Sequence, residues 1–341
     1  MADLLLKGYN AHYATGSRAF TATLRRIIES RGGVQFKFFN SYGSAEPNSV
    51  DVLISDEAHR IRKTSSSWRT PSPKRSDMPQ VEELLRAAKV AVFLIDDAQV
   101  VRPDEIGSVA YIKEAATRLG CIVSEYELEA QFRCAGSDAF VNWVNNTLGI
   151  RRTANVLWEG DERFDFRIAG SPLELEGMIR EKVTQGHSGR MTAGFCWPWS
   201  DPREDGTLPD DVVIGDYRRP RNAKPEARRL AKGIPPASIW AYDPNGIEQV
   251  GCVYTAQGFE FDYVGVIFGP DLRYCFAEQH WKGLKERSYD SVVKRSKDRF
   301  TDLMKNTYRV LLTRGLKGCY VHFMDRETEM FFRSRMKSPI E

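Results

Sequence analysis

A chain of 341 residues, 42% apolar and 28% charged, is longer than one hydrophobic core usually serves, so two globular domains are expected. No run reaches the roughly 20 apolar residues of a membrane span and no charged-then-apolar leader precedes a cleavage site, so a cytoplasmic protein with no membrane partner is expected. The six cysteines are scattered without a CxxC pair and the five histidines lack metal spacing, which argues against zinc modules and disulfide scaffolds, while a net charge of +3 permits nucleic acid as a partner without requiring it.

Residues 2–8 read as the end of a helix closed by Gly8, leading into a strand over 11–15. Ser17 is placed to cap the next helix, with Phe20, Leu24, Ile27 and Ile28 on one face and Gly32 and Gly33 stopping it. After a short strand over 34–39, residues 50–55 form a strand apolar enough to be covered on both faces of a parallel sheet. That strand delivers Asp56 and Glu57 to its carboxyl end, where open α/β sheets bind ligands. Two adjacent acids there suit a magnesium nucleotide: one holds Mg²⁺ through its waters, the other orients or deprotonates the attacking water. The plainer alternative is a strand end with solvated acids. Residues 60–75 hold six basic residues and no acid (Arg60, Arg62, Lys63, Arg69, Lys74, Arg75), with Trp68 among serines and prolines. This composition predicts a mobile loop, either merely solvated or contacting nucleic acid through phosphate charge and one stacking ring.

A helix over 77–89 and a hydrophobic strand over 90–95 follow, the strand ending in Asp96, Asp97, Ala98 and Gln99. A helix from Ser108 to Gly120 and a strand over 122–128, before Gln131, Phe132 and Arg133, complete an alternation that describes a doubly wound parallel sheet over residues 1–148.

The second domain, residues 149–341, opens with a strand over 164–169 and a helix capped by Ser171, with Leu175, Met178 and Ile179 facing inward. A strand over 191–196 leads to Trp197 and Trp199, which read as packing residues. Residues 201–234 form a long excursion whose basic cluster (Arg218, Arg219, Arg221, Lys224, Arg228, Arg229 and Lys232) is either a solvated face or a nucleic-acid contact. Gly258 allows close backbone approach to a ligand and Glu260 places an acid beside it, ahead of a buried strand over 264–268. A helix over 306–315 carries Arg309 and Arg314 before a strand over 319–323. An arginine at a domain boundary can neutralise the charge that develops in phosphoryl transfer; the commoner fate of a single arginine is a surface salt bridge.

Taken in order, these stretches resemble the superfamily 1 helicase-type P-loop ATPases, whose fold is two RecA-like doubly wound parallel-sheet domains. ISDEAH over 54–59 resembles motif II, implying Asp56 as the magnesium acid and Glu57 as the catalytic base. DDAQ over 96–99 resembles motif III, with Gln99 sensing the γ-phosphate, and QFR over 131–133 resembles motif IV, giving Arg133 a phosphate contact. TAQGFEFD over 255–262 resembles motif V, which implies nucleic-acid contacts at Thr255 and Gln257 and nucleotide contacts at Gly258 and Glu260. YRVLLTRG over 308–315 resembles motif VI, with Arg309 near the nucleotide and Arg314 as the finger. Within the superfamily, the longer stretches are similar to the helicase-like group called domain of unknown function 2075, akin to the Schlafen helicase-like region. The resemblance implies ATP as substrate, Mg²⁺ as cofactor, hydrolysis in the cleft between the domains, and single-stranded DNA or RNA as partner, with Arg60, Arg62, Lys63 and Trp68 near it.

One departure matters. The family needs GxxxxGK[ST], and this sequence has no Gly-Lys dipeptide. Met1 falls where the helix after that loop should be ending, so the first domain is expected to lack its phosphate-loop strand. The alternatives are a truncated chain, a natively degenerate one, or one whose sheet another polypeptide completes. Function divides accordingly between a helicase or translocase ATPase, weakly active or inactive in this form, and a non-catalytic nucleic-acid-binding or protein-interaction module.

Overall fold

The computed structural model describes residues 1–17, 20–25, 28, 33–66, 70, 75–127 and 134–337. Trp68 and Arg133 lie outside them. The chain divides into two compact units, Met1–Glu127 and Leu128–Glu341. Each has a mixed α/β architecture around a parallel sheet, consistent with RecA-like doubly wound domains.

In the first unit, α1 (Ala2–Leu6) ends at Gly8, whose φ of +84 suits a residue without Cβ, and leads into β1 (Ala11–Thr15). The Ser17 hydroxyl accepts the Phe20 N–H at 3.3 Å, as the cap requires. β2 (Phe36–Phe38), β3 (Val50–Asp56), α2 (Gln80–Ala87), β4 (Ala88–Phe93) and α3 (Val109–Arg118) follow. Every pairing is parallel and the order is β2-β1-β3-β4. Leu53 of β3 is fully buried in a core with Ala14, Val81, Leu84 and Ile112, supplied by β1, α2 and α3.

β4 starts and ends two residues before the predicted strand, and among the described residues it pairs with β3 alone. Among the described residues its outer edge has no partner, and on one face Val90 and Val92 remain 53% and 38% exposed. Residues 121–127, expected to begin the next strand, form none, with Ile122 99% and Tyr126 86% exposed. Hydrophobic periodicity proposes a strand, but only a hydrogen-bonding neighbour makes one, and residues 122–127 have none among the described residues. The expected mobile loop over 60–75 is also corrected at its ends. Ile61 is in the core, the Arg62 N–H donates to Gln80 Oε1 at 2.9 Å, and the Ser66 hydroxyl donates to the Ser76 carbonyl at 2.9 Å.

The second unit contains α4 (Asp138–Thr147), β5 (Asp165–Ile168), α5 (Pro172–Thr184), β6 (Gly189–Ala193), the hairpin β7 (Val212–Ile214) and β8 (Tyr217–Arg219), and β9 (Val250–Gly251). Then come α6 (Val253–Ala256), β10 (Phe261–Phe268), the hairpin β11 (Leu272–Cys275) and β12 (His280–Gly283), α7 (Phe300–Leu312), β13 (Gly315–Phe323) and α8 (Arg326–Ser334). The main sheet is parallel in the order β5-β13-β10-β6-β9. Helix α4, placed by the sequence at the end of a 1–148 domain, packs in this unit. Its Phe140 and Trp143 join Trp158, Phe166 and Phe332 in one aromatic cluster, and the Trp143 indole N–H donates to the Arg335 carbonyl at 2.8 Å.

The excursion over 201–234 is more ordered than its composition suggests. Trp197 and Trp199 do pack: their indole N–H groups donate to the carbonyls of Val213 at 3.1 Å and Asn222 at 2.6 Å. Part of the basic cluster turns inward. Arg219 joins Arg180, Glu176 and Glu248 in an ion-pair network, and Arg221 is buried with its guanidinium carbon 4.3 Å from the Phe195 ring centroid.

An open apolar edge is a template for pairing with another chain. Replacing Val90 and Val92 together by lysine is therefore expected to reduce concentration-dependent self-association in sedimentation velocity, while changing stability by no more than about 0.5 kcal/mol per exposed site.

Candidate nucleotide and nucleic-acid site

In the first unit the carboxyl ends of β1, β3 and β4 lie at one level, because Thr15 pairs with Asp56 and Ser55 with Phe93. Asp56 accepts hydrogen bonds from the Tyr13 hydroxyl and, at 2.9 Å, from the Glu57 N–H. Burial raises the pKa of its carboxyl above the ordinary value; the Tyr13 bond opposes that shift and the neighbouring Glu57 charge adds to it. Glu57 sits in the left-handed region at φ 54, ψ 44, a costly conformation for a residue with Cβ. Its carboxylate is buried, with Oε2 3.1 Å from His59 Nε2. The Ala58 N–H donates to the Leu94 carbonyl at 2.9 Å, joining this turn to the end of β4. There Asp96 accepts from the Ala98 N–H at 3.0 Å and from Gln99 Nε2 at 3.2 Å.

Segment 101–107 clamps the turn from outside. Glu105 accepts the N–H groups of Val101 and Arg102, each at 3.1 Å, and holds Arg60 Nε at 3.4 Å. The Ile106 N–H donates to the Ile61 carbonyl at 2.8 Å, and a Cβ on Gly107 would lie 2.0 Å from the Ala58 carbonyl oxygen. Only glycine fits there. Arg60 is thus a buried member of the clamp rather than an exposed nucleic-acid contact, while Arg62 and Lys63 are exposed, Arg62 pairing with Asp104 at 3.4 Å.

The second unit assembles the other residues around the amino ends of β10 and β13. Gly258 has φ +92, which its lack of Cβ permits, and Glu260 is exposed beside it. Thr255 and Gln257 are buried; the Thr255 hydroxyl lies 3.1 Å from Asn222 Oδ1 and accepts the Cys252 N–H at the same distance. Arg314 is 1% exposed and donates to the carbonyls of Val310 at 3.1 Å and Phe259 at 3.4 Å, tying the end of α7 to the turn before β10. Arg309 donates from Nε to Asn145 Oδ1 at 2.7 Å. In this structure both arginines are engaged within their own unit. Sequence reasoning passed over Tyr13, His59 and Asn222, which hold Asp56, Glu57 and Thr255. Only His59 had a signal, its place in DEAH; the others are partners assembled by strand register and by the return of a long excursion.

Compared with known proteins, residues 4–325 match the family model of the Schlafen group 3 DNA/RNA helicase domain. The chain belongs to this family. It is also 27% identical over 315 residues to uncharacterized protein YPL245W of Saccharomyces cerevisiae, a match that covers 85% of this chain and 65% of the relative. The chain therefore spans less than two thirds of that relative's length. Membership makes a helicase-related role with nucleic acid the coarse expectation for this Schlafen group 3 domain, and no described helix is long and apolar enough to cross a membrane.

Gly107→Ala is expected to destabilise the first unit by about 1–3 kcal/mol in chemical denaturation, the usual cost of overpacking. Asp56→Asn should act in the opposite direction. A carboxyl whose folded-state pKa is raised favours folding when protonated and subtracts stability once pH passes that pKa. The asparagine variant should therefore melt higher than the parent at neutral pH, with the gain shrinking as pH falls into the carboxylate range. Melting curves across pH check both the sign and the window.

Proposed function

We propose that this domain is the core of a nucleic-acid-stimulated, Mg²⁺-dependent ATPase of the helicase or translocase class. The observation that carries the reading is the cluster at the carboxyl ends of β3 and β4: a strained, buried Glu57 beside Asp56, with Asp96 and Gln99 in the adjoining turn. In this reading Glu57 takes the proton of the attacking water, His59 fixes its carboxylate, and Gln99 reports the γ-phosphate.

Asp56 is the residue that would hold Mg²⁺. It is half-buried, each oxygen keeps a lone pair beyond the hydrogen bond it accepts, and no cluster of three or more potential metal-ligating side chains occurs among the described residues. That donor set fits an ion held through water and substrate phosphate, which would neutralise charge on the transferred phosphoryl group. Gly258, Glu260 and Arg309 would contact the nucleotide, Arg133 a phosphate, and Thr255 and Gln257 the strand through their backbone, since their side chains are buried. For Arg314 to act as a finger, its guanidinium must leave the carbonyls of Val310 and Phe259. Arg62, Lys63 and Trp68 would lie along the nucleic acid.

The second reading is a non-catalytic nucleic-acid-binding or protein-interaction module. The β4 edge, which has no second partner among the described residues, bears on both, because a phosphate-loop strand, whatever chain carries it, would pair there. Steady-state ATP hydrolysis with Mg²⁺, with and without single-stranded DNA or RNA, tests the choice. The chain alone is expected to turn over slowly, and Glu57→Gln should reduce that rate by at least about 100-fold, as loss of a general base does. A rate unchanged in Glu57→Gln would refute the assignment. Single-strand binding without hydrolysis would establish the second reading.

A further inference from the structure

A basic insertion left unused by this reading lies between β12 and the start of α7. Residues 282–299 carry seven basic and three acidic side chains. Charge runs are usually solvated faces, but this one is built. The Tyr289 N–H donates to the Phe195 carbonyl at 2.7 Å, just past the carboxyl end of β6. Asp290 accepts the Tyr254 hydroxyl through one oxygen and the N–H groups of Val292 and Val293 through the other, at 3.0 and 3.1 Å. One acid is thereby committed to the fold, and the loop is fastened to α6, the helix that leads into Gly258. Behind the anchor, Phe195 packs on Tyr254 and Trp199, with ring centroids 6.0 and 5.9 Å apart, and Arg221 covers its face.

The anchored loop surrounds a cleft of about 560 Å³ lined by Glu286, Ser288, Tyr289, Ser291, Lys294 and Arg295. Tyr289 is 56% exposed, and Lys294 and Arg295 are exposed beside it. An exposed aromatic ring on an anchored backbone, two cations within a few residues and a hydroxyl-lined cleft at the carboxyl end of a parallel sheet match the chemistry of a single strand: bases need π-faces and phosphates need cations. We propose that residues 284–299 form a single-strand nucleic-acid grip, with Tyr289 stacking a base and Lys294 and Arg295 holding the flanking phosphates. The proposal deepens the nucleic-acid reading above and rests on it.

The experiment is fluorescence anisotropy of the full chain with labelled oligothymidylate and oligouridylate of about 16 nucleotides, titrated between about 50 and 200 mM salt. Tyr289→Ala is expected to weaken binding about 5- to 150-fold, the loss of one base stack, whereas Tyr289→Phe keeps the ring and should bind within about twofold of the parent. Lys294→Ala with Arg295→Ala should lower the magnitude of the log–log salt slope by about 1.4, two single-strand phosphate contacts. The control pair Arg228→Ala with Arg229→Ala, from the other basic cluster, should leave the slope unchanged. Melting curves confirm that each variant folds. Parent-like affinity and slope in the loop variants, or an equal fall in the control pair, would overturn the grip alone. A parent that binds no single strand would overturn the grip and the nucleic-acid reading together.

Discussion

The first unit depends on a single constraint: a strand whose backbone is paired on both sides in a parallel sheet can open a ligand site only where the ladder ends, even though one face of β3, at Val52 and Ile54, is only partly covered. β3 is held between β1 and β4, and its core residue Leu53 is fully buried, so the charge that follows at Asp56 and Glu57 emerges where the ladder stops. Everything around that point serves to keep two acids in place. Tyr13 reaches across from β1, the left-handed backbone at Glu57 turns the chain, and Glu105 and Gly107 close over the turn from a later loop. The desolvation that raises the Asp56 pKa and the strain at Glu57 are both costs that packing elsewhere in the unit must offset.

The periodic core of this fold was legible in the sequence, and its edges were not. Apolar runs placed β1, β3, β10 and β13, Ser17 and Ser171 accept N–H bonds at the helix starts they were expected to cap, and Ser108 does the same where its helix was expected to begin. A strand requires a partner as well as a pattern, which is why residues 122–127 carry the signal and form no ladder. Composition misled where it was read as solvation. The segments rich in Arg, Pro and Gly conceal Arg60, Arg219 and Arg221, whose guanidinium groups are neutralised or stacked by residues far away in the chain. The two central acids and Gln99 were readable from position alone. Tyr13 and Asn222 were not, because register and a returning excursion bring them in.

The second unit uses its charged residues differently. Its motif arginines hold the unit together: Arg309 joins α7 to α4, and Arg314 joins α7 to the turn ahead of β10. A buried guanidinium that satisfies backbone carbonyls is a structural cross-link, and freeing it leaves those carbonyls in search of donors. The family to which the chain belongs is read from the order of such stretches, whereas the position of each side chain follows from packing in its own unit.

The bond between the Tyr254 hydroxyl and Asp290 joins α6, which precedes Gly258, to a basic surface loop. Thermodynamics makes that connection symmetrical. Whatever free energy a ligand on the loop transmits to the α6 turn, a ligand on the turn must return to the loop in equal measure, because linkage between two binding equilibria has one coupling constant. The two surfaces therefore have no fixed order of cause and effect. Were both surfaces to bind ligands, the ligand concentrations would set which one acts as input.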